Sequence, residues 1–138
     1  MNPTRSLLLT ASLALLAGCG SMHEQHHGSG MHDAMHAAPA SARDGVLVTA
    51  DGMSLYTFDR DPADASKSAC NGQCAMNWPP LMAPAAAMAG DDWKPVTRDD
   101  GSRQWAYKGK PLYRWVKDQK PGDRSGDGAM GVWHLARP

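Results

Sequence analysis

Hydrophobic and polar positions divide the chain into three stretches. Residues 6–17 form an apolar run of mostly Leu and Ala behind one positive side chain, Arg5. From Gly20 to Asp44 the large apolar residues other than Met vanish. Beyond Gly45, short apolar runs are punctuated by Gly and Asp. Residues 46–49 and 54–58 flank Asp51-Gly52, a hairpin signature. Residues 93–97 and 103–107 flank Asp99-Asp100-Gly101, the chain turns again at Lys108-Gly109-Lys110, and a last strand fits 131–136. Helical periodicity is not sustained anywhere, apart from a short turn around 83–89. The pattern predicts a small antiparallel all-β domain over 45–138, preceded by a disordered tail.

The β stretch repeats itself. Gly52-x-x-Leu55-Tyr56-x-Phe58-x-x-Asp61 recurs with unchanged spacing as Gly109-x-x-Leu112-Tyr113-x-Trp115-x-x-Asp118. Ala75-Met76 with Trp78 then answers to Ala129-Met130 with Trp133. The domain thus reads as two copies of a hairpin-plus-loop unit, at about 45–81 and 93–138. Tyr and the second aromatic lie two apart, on one face of a strand. The Gly tolerates the turn entering that strand. The Asp is placed to accept backbone N–H bonds and start the next loop. A core role explains these positions; a ligand site is the alternative.

Further motifs follow in order: Cys70-Asn71-Gly72-Gln73-Cys74-Ala75, Trp78-Pro79-Pro80-Leu81, Gln104-Trp105-Ala106-Tyr107-x-Gly109-x-Pro111-Leu112-Tyr113, and Gly131-Val132-Trp133-His134. Together with the doubled unit they resemble the predicted bacterial lipoproteins with a Yx(F/W/Y)xxD motif, the secreted repeat of unknown function. The resemblance covers 45–138. It implies an envelope location and assigns no biochemical role, and the tail is outside it.

Composition narrows the function classes. Among 138 residues the 14 basic and 14 acidic side chains cancel, which excludes nucleic-acid binding through bulk positive charge. The length allows one domain with an extension. All the aromatics fall beyond Gly45, where the core must lie.

The apolar run at 6–17 is too short to span a bilayer and fits a signal peptide over 1–18. It ends in Leu16-Ala17-Gly18-Cys19, which looks like the lipobox of bacterial lipoproteins, so cleavage before Cys19 and its lipidation are expected. An ordinary secretory signal is the alternative. The resulting acyl chains suffice for a stable membrane anchor. Gly20, standing where an Asp would hold the protein back, resembles lipoproteins passed to the outer membrane. The expected address is the bacterial cell envelope.

Residues 19–44 read as a tether. Within it lie His23, His26, His27, His32 and His36, interleaved with Met22, Met31 and Met35. Imidazole suits Cu(II) and Zn(II), and thioether is a soft donor for Cu(I), so a copper or zinc ion is the cofactor this tail would take. A plain polar spacer is the competing reading.

With Cys19 assigned to lipid, Cys70 and Cys74 remain as a pair. In an oxidising compartment they read as a disulfide closing a tight loop, which stabilises by about 2 kcal/mol in the chain-entropy treatment. The alternative is a redox or Cu(I) site, with His134 as a distant third ligand. The βαβ pattern of thioredoxin-like copper chaperones is missing. Asp118, Asp123 and Asp127 lack EF-hand spacing and read as turn residues. No nucleophile triad or phosphate loop stands out. The leading expectation is a non-enzymatic, lipid-anchored binding protein. A structural or interaction module presenting its aromatic repeats is the second, and a redox protein the third.

Overall fold

The computed structural model describes residues 38–138. β1 (Ser41–Arg43) and β2 (Val46–Val48) form an antiparallel hairpin. Its two-residue turn is Asp44-Gly45, both at positive φ (50° and 75°), which matches the right-handed twist of the strands. The boundary expected at Gly45 therefore falls inside a hairpin. β1 was hidden because all three of its residues are exposed and show no apolar alternation.

β3 (Tyr56–Phe58) follows, then a five-residue helix, α1 (Gln73–Asn77). β4 (Trp93–Thr97), β5 (Arg103–Tyr107) and β6 (Lys110–Pro111) make a three-stranded antiparallel meander. A 3-10 turn at Ala129–Gly131 leads to β7 (Trp133–Leu135), which pairs antiparallel with β3. The all-β expectation holds. The stretch at 83–89 makes one turn, closed by Ala87 N–H donating to the Pro84 carbonyl at 2.9 Å, and the helix lies at α1 instead.

The two copies exchange their final strands. Ala136, after β7 in the second copy, donates to the Leu55 carbonyl and accepts from Leu47 N–H, both at 2.8 Å. Leu81, at the end of the first copy, donates to the Leu112 carbonyl at 2.9 Å and accepts from Trp105 N–H at 2.8 Å. Each closing strand thus sits between strands of the other copy. Pro79 and Pro80 lack N–H groups, so this segment shows only isolated bridges where its counterpart β7 is a regular strand. At the centre Tyr56 N–H donates to the Tyr113 carbonyl at 2.8 Å, and Tyr113 N–H donates back to Tyr56 at 2.9 Å. That hydrogen-bonded antiparallel pair marks a pseudo-two-fold axis.

The core obeys the same symmetry. Trp115, Trp78, Trp133 and Phe58 form one stack, with centroid spacings of 4.0, 3.8 and 4.3 Å in that order. Each motif aromatic covers the tryptophan of the other copy's closing strand. Tyr56 meets Trp78 edge-on at 5.3 Å and Tyr113 meets Trp133 edge-on at 5.1 Å, pairs that add about 0.5–1.5 kcal/mol beyond burial. Leu47, Leu55, Leu112 and Ala136 form a second buried cluster across the axis. Gly126 permits the closest approach, since a Cβ there would lie 2.7 Å from the Trp78 ring.

Because each copy lacks its own closing strand, residues 39–82 or 94–137 expressed alone should give monomers without dispersed amide resonances, while the joined domain gives a native spectrum. A single copy with a dispersed monomeric spectrum would contradict the exchange.

Candidate functional site

The repeat motif builds a reciprocal lock. Tyr56 donates its phenolic proton to Asp118 Oδ2 at 2.5 Å, and Tyr113 donates to Asp61 Oδ2 at 2.6 Å. Each tyrosine is therefore held by the aspartate of the other copy. The remaining oxygens organise local loops: Asp61 Oδ1 accepts Ala69 N–H at 2.7 Å, and Asp118 Oδ1 accepts Ser125 N–H at 3.0 Å. The backbone-capping role expected for these carboxylates is present, and the bond to the other copy's tyrosine is an additional one. Burial, reinforced by the carboxylate partner, raises both phenols far above their ordinary value, which keeps the proton each donates in place. Gly52 and Gly109, at φ 83° and 79°, turn the chain into the two tyrosine strands.

A buried arginine extends the lock on one side. Arg98 Nη1 donates to Ser68 Oγ at 2.9 Å and Gln104 Oε1 at 2.6 Å, and Nη2 donates to the Cys70 carbonyl at 2.6 Å. Ser68 Oγ lies 2.7 Å from the Tyr113 hydroxyl. Tyr113 gives its proton to Asp61, so Ser68 is the donor in that contact, and a chain runs from Arg98 through Ser68 and Tyr113 to Asp61. Burial pushes the Asp61 carboxyl above the ordinary aspartate value, while Tyr113, Ala69 N–H and the Arg98 charge oppose the rise. Sequence reasoning missed Arg98. The signal was there in strand alternation, which puts Arg98 on the buried face with Val96.

Cys70 and Cys74 form a disulfide, with Cα atoms 5.2 Å apart. It closes the loop around the start of α1. The matching loop of the second copy is closed by polar contacts: Asp123 Oδ2 accepts Gln119 N–H at 2.8 Å and Lys120 N–H at 3.1 Å, and Asp127 Oδ1 accepts Leu135 N–H at 3.1 Å. A cleft of about 330 Å³ beside the disulfide is lined by Phe58, Arg60, Cys74, Met130 and Trp133. Met130 stands 80% exposed at φ 51°. His134 does not join the cysteines. It alternates with buried Trp133 and Leu135 along β7, faces outward, and bonds Asp59 through Nε2 at 2.7 Å.

Among the described residues no group of three His, Cys, Asp or Glu is arranged to hold a metal. Cys19 and the tail donors Met22, His23, His26, His27, Met31, His32, Met35 and His36 lie outside the described residues. Of the repeat aromatics, Tyr56, Tyr113, Trp78 and Trp133 are buried, and Phe58 and Trp115 are half-buried.

A family model described as a secreted repeat of unknown function matches twice, over residues 39–82 and 94–137. Each match starts close to a hairpin and ends just past a closing strand. No curated protein and no solved structure matches the chain.

The lock should be measurable. Tyr113→Phe removes a buried hydrogen bond to a carboxylate and should cost about 1.5–3 kcal/mol in urea unfolding, with Tyr56→Phe comparable. Losses under about 0.5 kcal/mol for both would make the bonds incidental.

Proposed function

The chain belongs to the family of secreted repeats of unknown function, and we propose that it is a lipid-anchored envelope protein that works by binding, with its tail capturing a transition-metal ion. Cys19, in its lipobox-like setting, carries the lipid, and Gly20 after it supports the outer membrane as destination. The Cys70–Cys74 disulfide and the secreted character of the family support an oxidising compartment outside the cytoplasm.

The observation that carries the metal reading is the crowding of imidazole and thioether donors between Met22 and His36. Histidine nitrogens suit Cu(II) and Zn(II), and methionine sulfur adds Cu(I). Donors strung on an anchored segment raise the local ion concentration near the membrane, while the locked β body serves as a rigid base. Since Cys19 would be acylated, the site would use side chains rather than a free terminal amine.

A second reading is an interaction module, favoured by four exposed methionines on the body: Met76, Met82, Met88 and Met130. Flexible thioether side chains suit an adaptable contact surface.

Deleting residues 22–36 should abolish copper and zinc uptake by the mature protein, measured by elemental analysis, and leave its circular dichroism unchanged. Full uptake after the deletion would remove the tail from the account. An intact protein that takes up no metal would leave the interaction module.

A further inference from the structure

The pseudo-symmetry supplies an internal control for surface positions that have a counterpart in the other copy. In the first copy the turn before the tyrosine strand carries Asp51, whose Oδ2 accepts from Arg114 Nη2 at 3.0 Å. The counterparts of Asp51 and Arg114 in the other half are Lys108 and Thr57. Both line a groove of about 400 Å³, and the same groove gathers Lys110 and Arg137, whose own counterparts are Met53 and Met82. A self-neutralised ion pair on one side of the molecule is thus answered by three cations on the other. Among the described residues none of Lys108, Lys110 and Arg137 has a carboxylate within ion-pair distance. Asp59, the acid bonded to the groove's His134, is already engaged there at 2.7 Å.

Backbone strain points to the same place. Lys108 occupies the left-handed region at φ 46°, in a two-residue turn with Gly109. Asn, Asp or Gly fits the first position of such a turn with less strain. The fold asks only for the glycine, whose Cβ would fall 2.8 Å from the Ala63 carbonyl oxygen. A lysine at 108 is therefore a strained choice, and its ammonium lies over the Tyr107 ring at 5.1 Å rather than beside a carboxylate.

We propose that this groove binds a phosphate group carried on an organic ester. Two ammonium groups and a guanidinium more than offset the charge of a phosphate ester, and the planar fork of Arg137 can hold two of its oxygens. Its contact with the Gly45 carbonyl, at 3.3 Å, uses only Nη1. The Thr57 hydroxyl adds a neutral donor. Buried Leu112, Leu135 and Ala136 form an apolar floor for the carbon side of the ester. The ester is either a soluble metabolite or the headgroup of a phospholipid at the membrane where the protein is anchored.

The mature protein, labelled with ¹⁵N, would be titrated separately with glycerol 3-phosphate and with phosphatidylglycerol vesicles, with phosphatidylcholine vesicles as the control. Saturable shifts at Thr57, Lys108, Lys110 and Arg137 are expected with one of the two anionic probes, and which one identifies the source. Lys108→Ala with Lys110→Ala should weaken binding at least tenfold, while Lys67→Ala with Lys94→Ala, outside the groove, should not. Lys108→Asn separates folding from binding: its melting temperature should stay level or rise while affinity falls. Silence with both probes, or equal weakening by the two lysine pairs, overturns the proposal.

Discussion

Two hydroxyl-to-carboxylate bonds across the pseudo-two-fold axis, Tyr56 to Asp118 and Tyr113 to Asp61, are the constraint on which the rest of the body depends. Each one ties a strand in one copy to a loop in the other. With the tyrosine backbones also exchanging two hydrogen bonds, the copies cannot slide or separate without exposing buried donors and acceptors. The tryptophan stack follows from this placement. Once the tyrosine strands lie side by side, Phe58 and Trp115 meet the other copy's Trp133 and Trp78.

That arrangement gives the motif a physical meaning. Tyrosine supplies an edge for one tryptophan, the second aromatic a face for another, and aspartate an acceptor for a distant phenol. The tyrosine edge stays within its own copy, whereas the tyrosine hydroxyl, the second aromatic and the aspartate act between copies, so the two copies support each other. With the motif committed to this interior work, the proposed binding roles fall to positions the repeat does not need: the turn at Lys108, the exposed methionines and the tail.

Much of this was legible in the residues. The unchanged spacing of the two motifs, the turn glycines and the cysteine pair led to a doubled antiparallel unit with a disulfide. The exchange of closing strands was not legible, because units that share a motif and a strand pattern offer each closing strand two sheets of similar geometry, and pattern alone does not choose between them. β1 escaped notice because Ser41, Ala42 and Arg43 are all exposed and its signal lies only in Asp44-Gly45. α1 escaped because its five residues bury no apolar face. Strand alternation puts Arg98 on the buried face with Val96, but only the fold supplies its partners Ser68, Gln104 and the Cys70 carbonyl. The groove at Lys108 was present in the sequence only as scattered lysines, and it takes the fold to bring Thr57 and Arg137 to them.

Native-state hydrogen exchange tests the central claim most directly. If the copies are one interlocked unit, the amides of Tyr56, Leu81, Tyr113 and Ala136 will exchange with a single opening free energy equal to that of global unfolding. Two distinct free energies, with the amides of one copy opening while the other stays protected, would show that the halves stand independently and that the lock does not hold them.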